Sequence, residues 1–263
     1  MAKLKALDSE KSINLDDIDK RAKRGRPRGK ATQTVYEALR SEILTLEAKP
    51  GEYLDETLLE KRFGVSRTPI REALIRLQSD RLVRFSANRG HFVEVVSIEQ
   101  VPRIFEAMDL YQAAVFRLAA RWHEPEALVD LHQINDAYLK ASESGDYKLM
   151  AEMNHQFHLR IGKASGNPFL AEAYETLLNC SIRLSYLMFE KAGAQPSAQA
   201  DYYARVYHEH NEMIELIAAG DGDRLEEISI KHTQLFCDRV SAFITSRSEF
   251  RTEPTNFFDP QND

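Results

Sequence analysis

GVSRTPIREALIRLQSDRLV, residues 64–83, reads as a helix with a sharp beginning and two unlike faces. Ser66 and Thr68 stand where a helix start needs its free amides capped, and Pro69 falls in the first turn, where a missing N–H costs nothing. Ile70, Ala73, Leu74 and Leu77 recur at three- and four-residue spacings, which makes a core-facing stripe. Arg67 and Arg71 lie four apart on another face, and Thr68 and Arg76 extend that surface. A short helix at 56–63 closes on Gly64 just upstream. Helix, tight turn, helix is the arrangement that offers its second helix to a DNA groove. Arginine suits that place because its planar fork engages a guanine edge or a phosphate in two bonds.

On the N-terminal side, TVYEALRSEILTLE carries Val35, Leu39, Ile43 and Leu46 at helical spacing from about Thr32, until Pro50 and Gly51 stop it. On the C-terminal side, LVRFSANRGHFVEVV holds two short β-rich runs about the turn Asn88-Arg89-Gly90. Three helices and a hairpin predict a winged helix-turn-helix over residues 31–96. Arg67, Thr68, Arg71 and the Arg-Gly wing tip are then the surface that meets double-stranded DNA. Taken alone, the same helix could be a basic solvated face; the turn, helix and wing in sequence favour DNA.

Beyond Ser97 the strand signals stop. Helices are predicted at 98–122, 125–143, 146–164, 168–190, 199–219 and 222–246, divided by Pro125, Gly145, Gly166-Asn167, the AGAQPS linker and Gly220-Asp221-Gly222. Short connections between six such helices predict an antiparallel bundle over 97–247, with a flexible tail at 248–263. The fold class expected is thus mainly α: a winged helix-turn-helix followed by a six-helix bundle.

Charge follows the same division. Residues 1–96 carry 20 basic against 15 acidic side chains, a balance of +5, whereas 97–263 carry 15 against 26, a balance of −11. An anion-binding front and an acidic back fit a nucleic-acid module joined to a domain with another partner. Residues 1–30 lack apolar periodicity and are expected to form a disordered basic arm. Its KRGRPRGK segment, residues 23–30, holds Arg24-Gly25-Arg26-Pro27, which is similar to the core of a minor-groove AT-hook; a solvated tail that attracts phosphates is the plainer alternative.

The chain of 263 residues, 43% hydrophobic and 29% charged, can bury a sizeable core. It holds no uninterrupted apolar run near the ~18 residues of a membrane span and no secretory leader at its start, so a cytoplasmic location without membrane contact is expected. Cys180 and Cys237 are too few for a disulfide framework and read as apolar fillers.

Three histidines interrupt apolar stripes. His210 falls among Tyr203, Val206, Tyr207, Met213, Ile214 and Ile217; His232 among Leu225, Ile228 and Leu235; His158 shares a face with Asn154 beside Met150, Met153, Phe157 and Ile161. One inward histidine is readily satisfied by a polar neighbour. Three on three helices are met together by one ion, because neutral imidazole is a common ligand of zinc and related metals.

With these residues in view, GVSRTPIREALIRLQSDRLV and NRGHFV resemble the GntR superfamily of bacterial regulators, and the helical half looks like its FadR subfamily, whose effector domain is of the FCD type. The resemblance runs from about Thr32 to about Phe243. It implies operator contacts from Ser66, Arg67, Thr68 and Arg71 on the recognition helix and from Arg89 and Gly90 on the wing. It implies a divalent metal, zinc being the expected ion, on Asn154, His158, His210 and His232, in a domain that also dimerises. It implies a small carboxylate effector near that metal, for which Arg183 and Tyr186 are the contacts expected here, an interhelix salt bridge being the other reading of Arg183. The family pattern is departed from in three places: Thr57 replaces an arginine of the second helix, Asn154 replaces an aspartate, and Met108 and Gln112 replace an arginine and a glutamate of the first bundle helix. Asn154, a neutral donor, predicts a weaker metal site than an aspartate would make.

The function expected is a ligand-responsive transcriptional regulator, a repressor binding a palindromic operator as a homodimer. Its rivals are a regulator whose metal is purely structural and a histidine-based metallohydrolase. Against the hydrolase, HExxH is absent, and Glu209, one residue before His210, is expected to point away from the metal face.

Overall fold

The computed structural model describes residues 28–192 and 200–246. The predicted arm up to residue 27, with its AT-hook-like core, the AGAQPS linker from 193 and the tail from 247 lie outside the described residues.

The N-terminal unit opens with α1 (Arg28–Leu44), so the last residues of the basic segment already belong to a helix. The helix ends two residues before Leu46, which adopts left-handed backbone at φ 62°. A two-residue strand β1 (Tyr53–Leu54) leads to α2 (Glu56–Phe63) and α3 (Arg67–Ser79). Asp55 caps α2 by accepting from the amides of Thr57 and Leu58, and Gly64 ends it in the left-handed region that favours glycine. Ser66 occupies the N-cap of α3, yet its side chain makes no capping bond.

The hairpin is β2 (Val83–Ser86) and β3 (Gly90–Val93), with Phe85 opposite His91. It pairs further with β1, giving an antiparallel sheet in the order β1-β3-β2. The third strand is the difference from expectation, for two residues are too few to show any period. Gly90 is needed at the wing: its φ is 91°, and a Cβ there would lie 2.9 Å from the Tyr53 ring. Leu39, Ile43, Ile70, Leu74 and Leu77 fill the core beneath and are almost fully buried. Truncating Leu77 to alanine would cost about 2–5 kcal/mol.

The bundle follows as α4 (Val101–Trp122), α5 (Pro125–Ser144), α6 (Tyr147–Ala164), α7 (Pro168–Ala192), α8 (Ala200–Ala219) and α9 (Gly222–Ser246). Each boundary lies within three residues of the predicted one. A 3-10 turn, Ile98–Gln100, precedes α4. No helix among the described residues is long and apolar enough to cross a membrane. Cys180 and Cys237 are free, partly buried thiols.

Helix α7 joins the two units. Its Glu175 and Asn179 accept hydrogen bonds of 2.8 and 2.9 Å from Arg40 of α1, and its Arg183 donates to the backbone carbonyl of Glu94, just beyond β3. Another face of the same helix turns Leu178, Ser181, Ser185 and Met188 into a cavity of the bundle.

Candidate functional site

Two groups of chemistry-bearing side chains stand out, and α7 lies between them. On α3, Arg67 and Arg71 are both more than half exposed, as reading DNA requires. Each turns its Nε toward the same oxygen of Glu56, at the first turn of α2, at 2.8 Å. Arg67 also lies 3.4 Å from Glu60, and His91 of β3 approaches the other Glu56 oxygen at 3.7 Å. Thr68, Arg89 and Gly90 are on the open side of the same unit, and Arg89 stacks its guanidinium over Phe92 at 5.4 Å. Arg76 departs from expectation: it lies 4.0 Å over the Tyr36 ring and donates to Gln33, which holds it against α1.

In the bundle, α6, α8 and α9 bring His158, His210 and His232 together. One ring nitrogen from each lies within 4.8 Å of the others, and all three residues are buried. The outer nitrogens explain the convergence. Nδ1 of His210 faces Asn135 Oδ1 at 3.0 Å, and since the Asn135 amide donates to Tyr207 and Asn211, its oxygen must accept. Nδ1 of His232 faces a Glu209 oxygen at 2.8 Å. Nδ1 of His158 faces the Tyr174 hydroxyl at 3.4 Å, whose proton is committed to Gln112 at 2.7 Å. Every Nδ1 therefore serves as the donor, and in a neutral ring that leaves Nε2 a bare lone pair.

Those lone pairs meet. Nε2 of His158 and His232 stand 3.3 Å apart, and Nε2 of His210 is buried with no hydrogen-bond partner. Burial, then the neighbouring imidazoles, hold His158 and His210 well below the ordinary histidine range, so they stay neutral. Converging neutral imidazoles oriented by outer partners are the donor set of a divalent metal, and the residues fit such an ion. Asn154 lines the same cavity as His158 and His232.

Glu209 takes a part that its place beside His210 does not announce. It is not aimed at the centre itself, but its carboxylate bonds the outer nitrogen of His232 and also Arg205 at 2.8 Å. Burial pushes the Glu209 carboxyl up, yet the bonds from His232 and Arg205 outweigh this and hold it below its usual value. Asn135, Tyr174 and Gln112 were likewise missed. Each is a polar group within an apolar stripe, the same signal that picked out the histidines. Gln112 also donates 2.8 Å bonds to the Ser229 carbonyl and Thr233, so it ties α4 to α9.

The effector contacts expected at Arg183 and Tyr186 are not at this cavity. Arg183 is buried against the Glu94 carbonyl, and Tyr186 packs into the winged core and donates to the Lys148 carbonyl at 3.2 Å. Both sit on the face of α7 opposite Ser181 and Ser185. The cavity does contain a cation, Arg239 of α9, which donates to the Tyr203 hydroxyl at 3.0 Å and lies 4.4 Å from the Tyr202 ring centre. Around it Phe105, Met108, Met150 and Phe236 supply apolar walls.

A winged helix-turn-helix joined to a helical domain with a cavity is the build of a DNA-binding regulator. The chain belongs to the GntR family of bacterial regulatory proteins with an FCD domain: the model for "Bacterial regulatory proteins, gntR family" matches residues 31–93, and that for the FCD domain matches 103–235. The HTH-type transcriptional repressor RspR of Escherichia coli is 24% identical over 227 residues, covering 86% of this chain and 96% of its own. The HTH-type transcriptional regulator LutR of Bacillus subtilis is 27% identical over 220 residues, with 75% and 95% covered. Among solved structures, E. coli McbR/YncC superposes with a TM-score of 0.69 at 22% identity over 82% of this chain and 98% of its own, a likeness of fold. Proteins of this family regulate transcription and are not enzymes.

Proposed function

We propose that the protein is a ligand-responsive repressor that acts in the cytoplasm, as a homodimer, on a palindromic operator. A single winged unit offers few base contacts, so two copies on two half-sites supply the affinity and specificity. Ser66, Arg67, Thr68 and Arg71 read the operator from α3, with Arg89 and Gly90 on the wing. His158, His210 and His232, joined by Asn154, hold a divalent metal, zinc by donor type. Once bound, such an ion supplies a positive anchor for an anionic ligand. The effector is a small carboxylate, and the cation that faces it in the cavity is Arg239 rather than Arg183.

The observation that carries the sensing half is the unpartnered, buried Nε2 of His210 at the meeting point of three oriented imidazoles. Dialysis against chelator followed by zinc titration tests it, with bound metal read by elemental analysis. The wild-type chain is expected to take up stoichiometric zinc and His210→Ala to lose it. Full metal content in that variant would remove the site. Operator binding in the presence of a panel of small carboxylates then separates a sensor from a purely structural site, for which no compound would shift DNA affinity.

A further inference from the structure

Among the described residues, Glu56 pairs with both Arg67 and Arg71 of α3. It opens α2 directly after the Asp55 cap, where a carboxylate is favoured by the free amides of the first turn. Its side chain is only 17% exposed, so it is pinned rather than free to sweep the surface. One of its oxygens accepts a 2.8 Å hydrogen bond from the Nε of Arg71 and forms an ion pair with Arg67, whose Nε lies at the same distance, and the other faces His91 on the wing strand. Three structural elements thus converge on one carboxylate.

The choice of atom matters. A guanidinium held by Nε is fixed in direction, while its two terminal nitrogens remain at the far end, paired for a two-bond contact. Neither Arg67 nor Arg71 has a protein partner for those terminal nitrogens among the described residues. The carboxylate also offsets the repulsion between two like charges brought to one point.

Resting on the reading of Arg67 and Arg71 as operator contacts, we infer that Glu56 is a positioning and specificity-determining residue. It aims the Arg71 fork at base edges, holds Arg67 beside it by charge, and weakens sequence-independent attraction to phosphates. Removing that charge has opposite effects on two kinds of DNA. Attraction to any duplex rises, because the face gains a net positive charge. Preference for the operator falls, because an unaimed Arg71 loses a paired contact whose loss relaxes base discrimination.

The test uses the full-length chain and a duplex selected by the wild-type protein from a random pool, against an unrelated duplex of equal length. Glu56→Gln, Arg67→Ala and Arg71→Ala are compared by anisotropy across a salt series, with thermal melting as a check on folding. Glu56→Gln is expected to lower the ratio of selected to unrelated affinity about tenfold, since one well-made paired contact is worth that much, while binding to the unrelated duplex tightens. In an Arg71→Ala background the same change should lower the ratio by clearly less. Glu56→Asp, which keeps the charge, should restore part of the discrimination. An unchanged ratio for Glu56→Gln, equal weakening on both duplexes, or an equal effect with and without Arg71 would overturn the inference. If Arg67→Ala and Arg71→Ala leave the selected duplex bound as tightly as before, it is the underlying DNA-contact reading that fails.

Discussion

The face of α3 and the centre of the bundle solve opposite problems with cationic and potentially cationic side chains. Arg67 and Arg71 are exposed, always charged, and steadied by a partner that balances them. His158, His210 and His232 are buried and oriented by partners on their outer sides, so that their inner nitrogens face one another. The first arrangement leaves charge at the surface, as binding a polyanion requires; the second turns ring nitrogens inward, as binding a cation requires. In both, the outer partners, Glu56 in one and Glu209, Asn135 and Tyr174 in the other, set what the inner groups can do.

Perturbing one region should leave the other intact, and the largest effect is expected at the bundle centre. Substituting His210 by alanine should abolish stoichiometric zinc uptake, measured by elemental analysis, while DNA binding without added ligand persists. Next comes Arg71→Ala, expected to weaken operator binding by about 1–3 kcal/mol and relax one base position, with metal content unchanged. Glu209→Ala is expected to weaken zinc binding about tenfold, at the low end for an outer partner of a ligating histidine. Competition with a chromophoric chelator would measure it.

The smallest effect concerns acid. Burial, then the nearby Arg40, pushes His155 down to about 3, and His158 and His210 are also held low by burial. The unfolded chain takes up protons at these positions near pH 6.5, where the folded chain cannot. Their contribution is therefore complete above about pH 6.5 and is lost progressively as pH falls below it. Metal-stripped protein should melt at lower temperature at pH 5 than at pH 7.5, and His155→Gln should narrow that difference.

How much of this was legible in the sequence follows from the same contrast. The stripe Ile70, Ala73, Leu74, Leu77 and the Gly64 turn announced α3 because period and turn chemistry are local. The three histidines were visible because a polar residue on an apolar stripe must find a partner. What is not local was missed. Glu209 lies one position from His210, so helical phase sends it away from that residue, but α9 crosses to meet it with His232. Arg183 was read as a sensor because it is a cation on a bundle helix. Its position on that helix instead carries it to the winged unit, where the backbone of Glu94 takes it up. Crossing angles and packing partners, which no single helix encodes, decided both outcomes.

Helix α7 touches the winged unit through Arg183 and the Arg40 contacts and lines the cavity through Ser181 and Ser185. Where binding in the cavity alters operator affinity, thermodynamic linkage makes the effect two-way. Whatever factor a cavity occupant imposes on operator affinity, the operator imposes on that occupant. A DNA-bound copy and a free copy would then be two receptors of different sensitivity for the same small molecule.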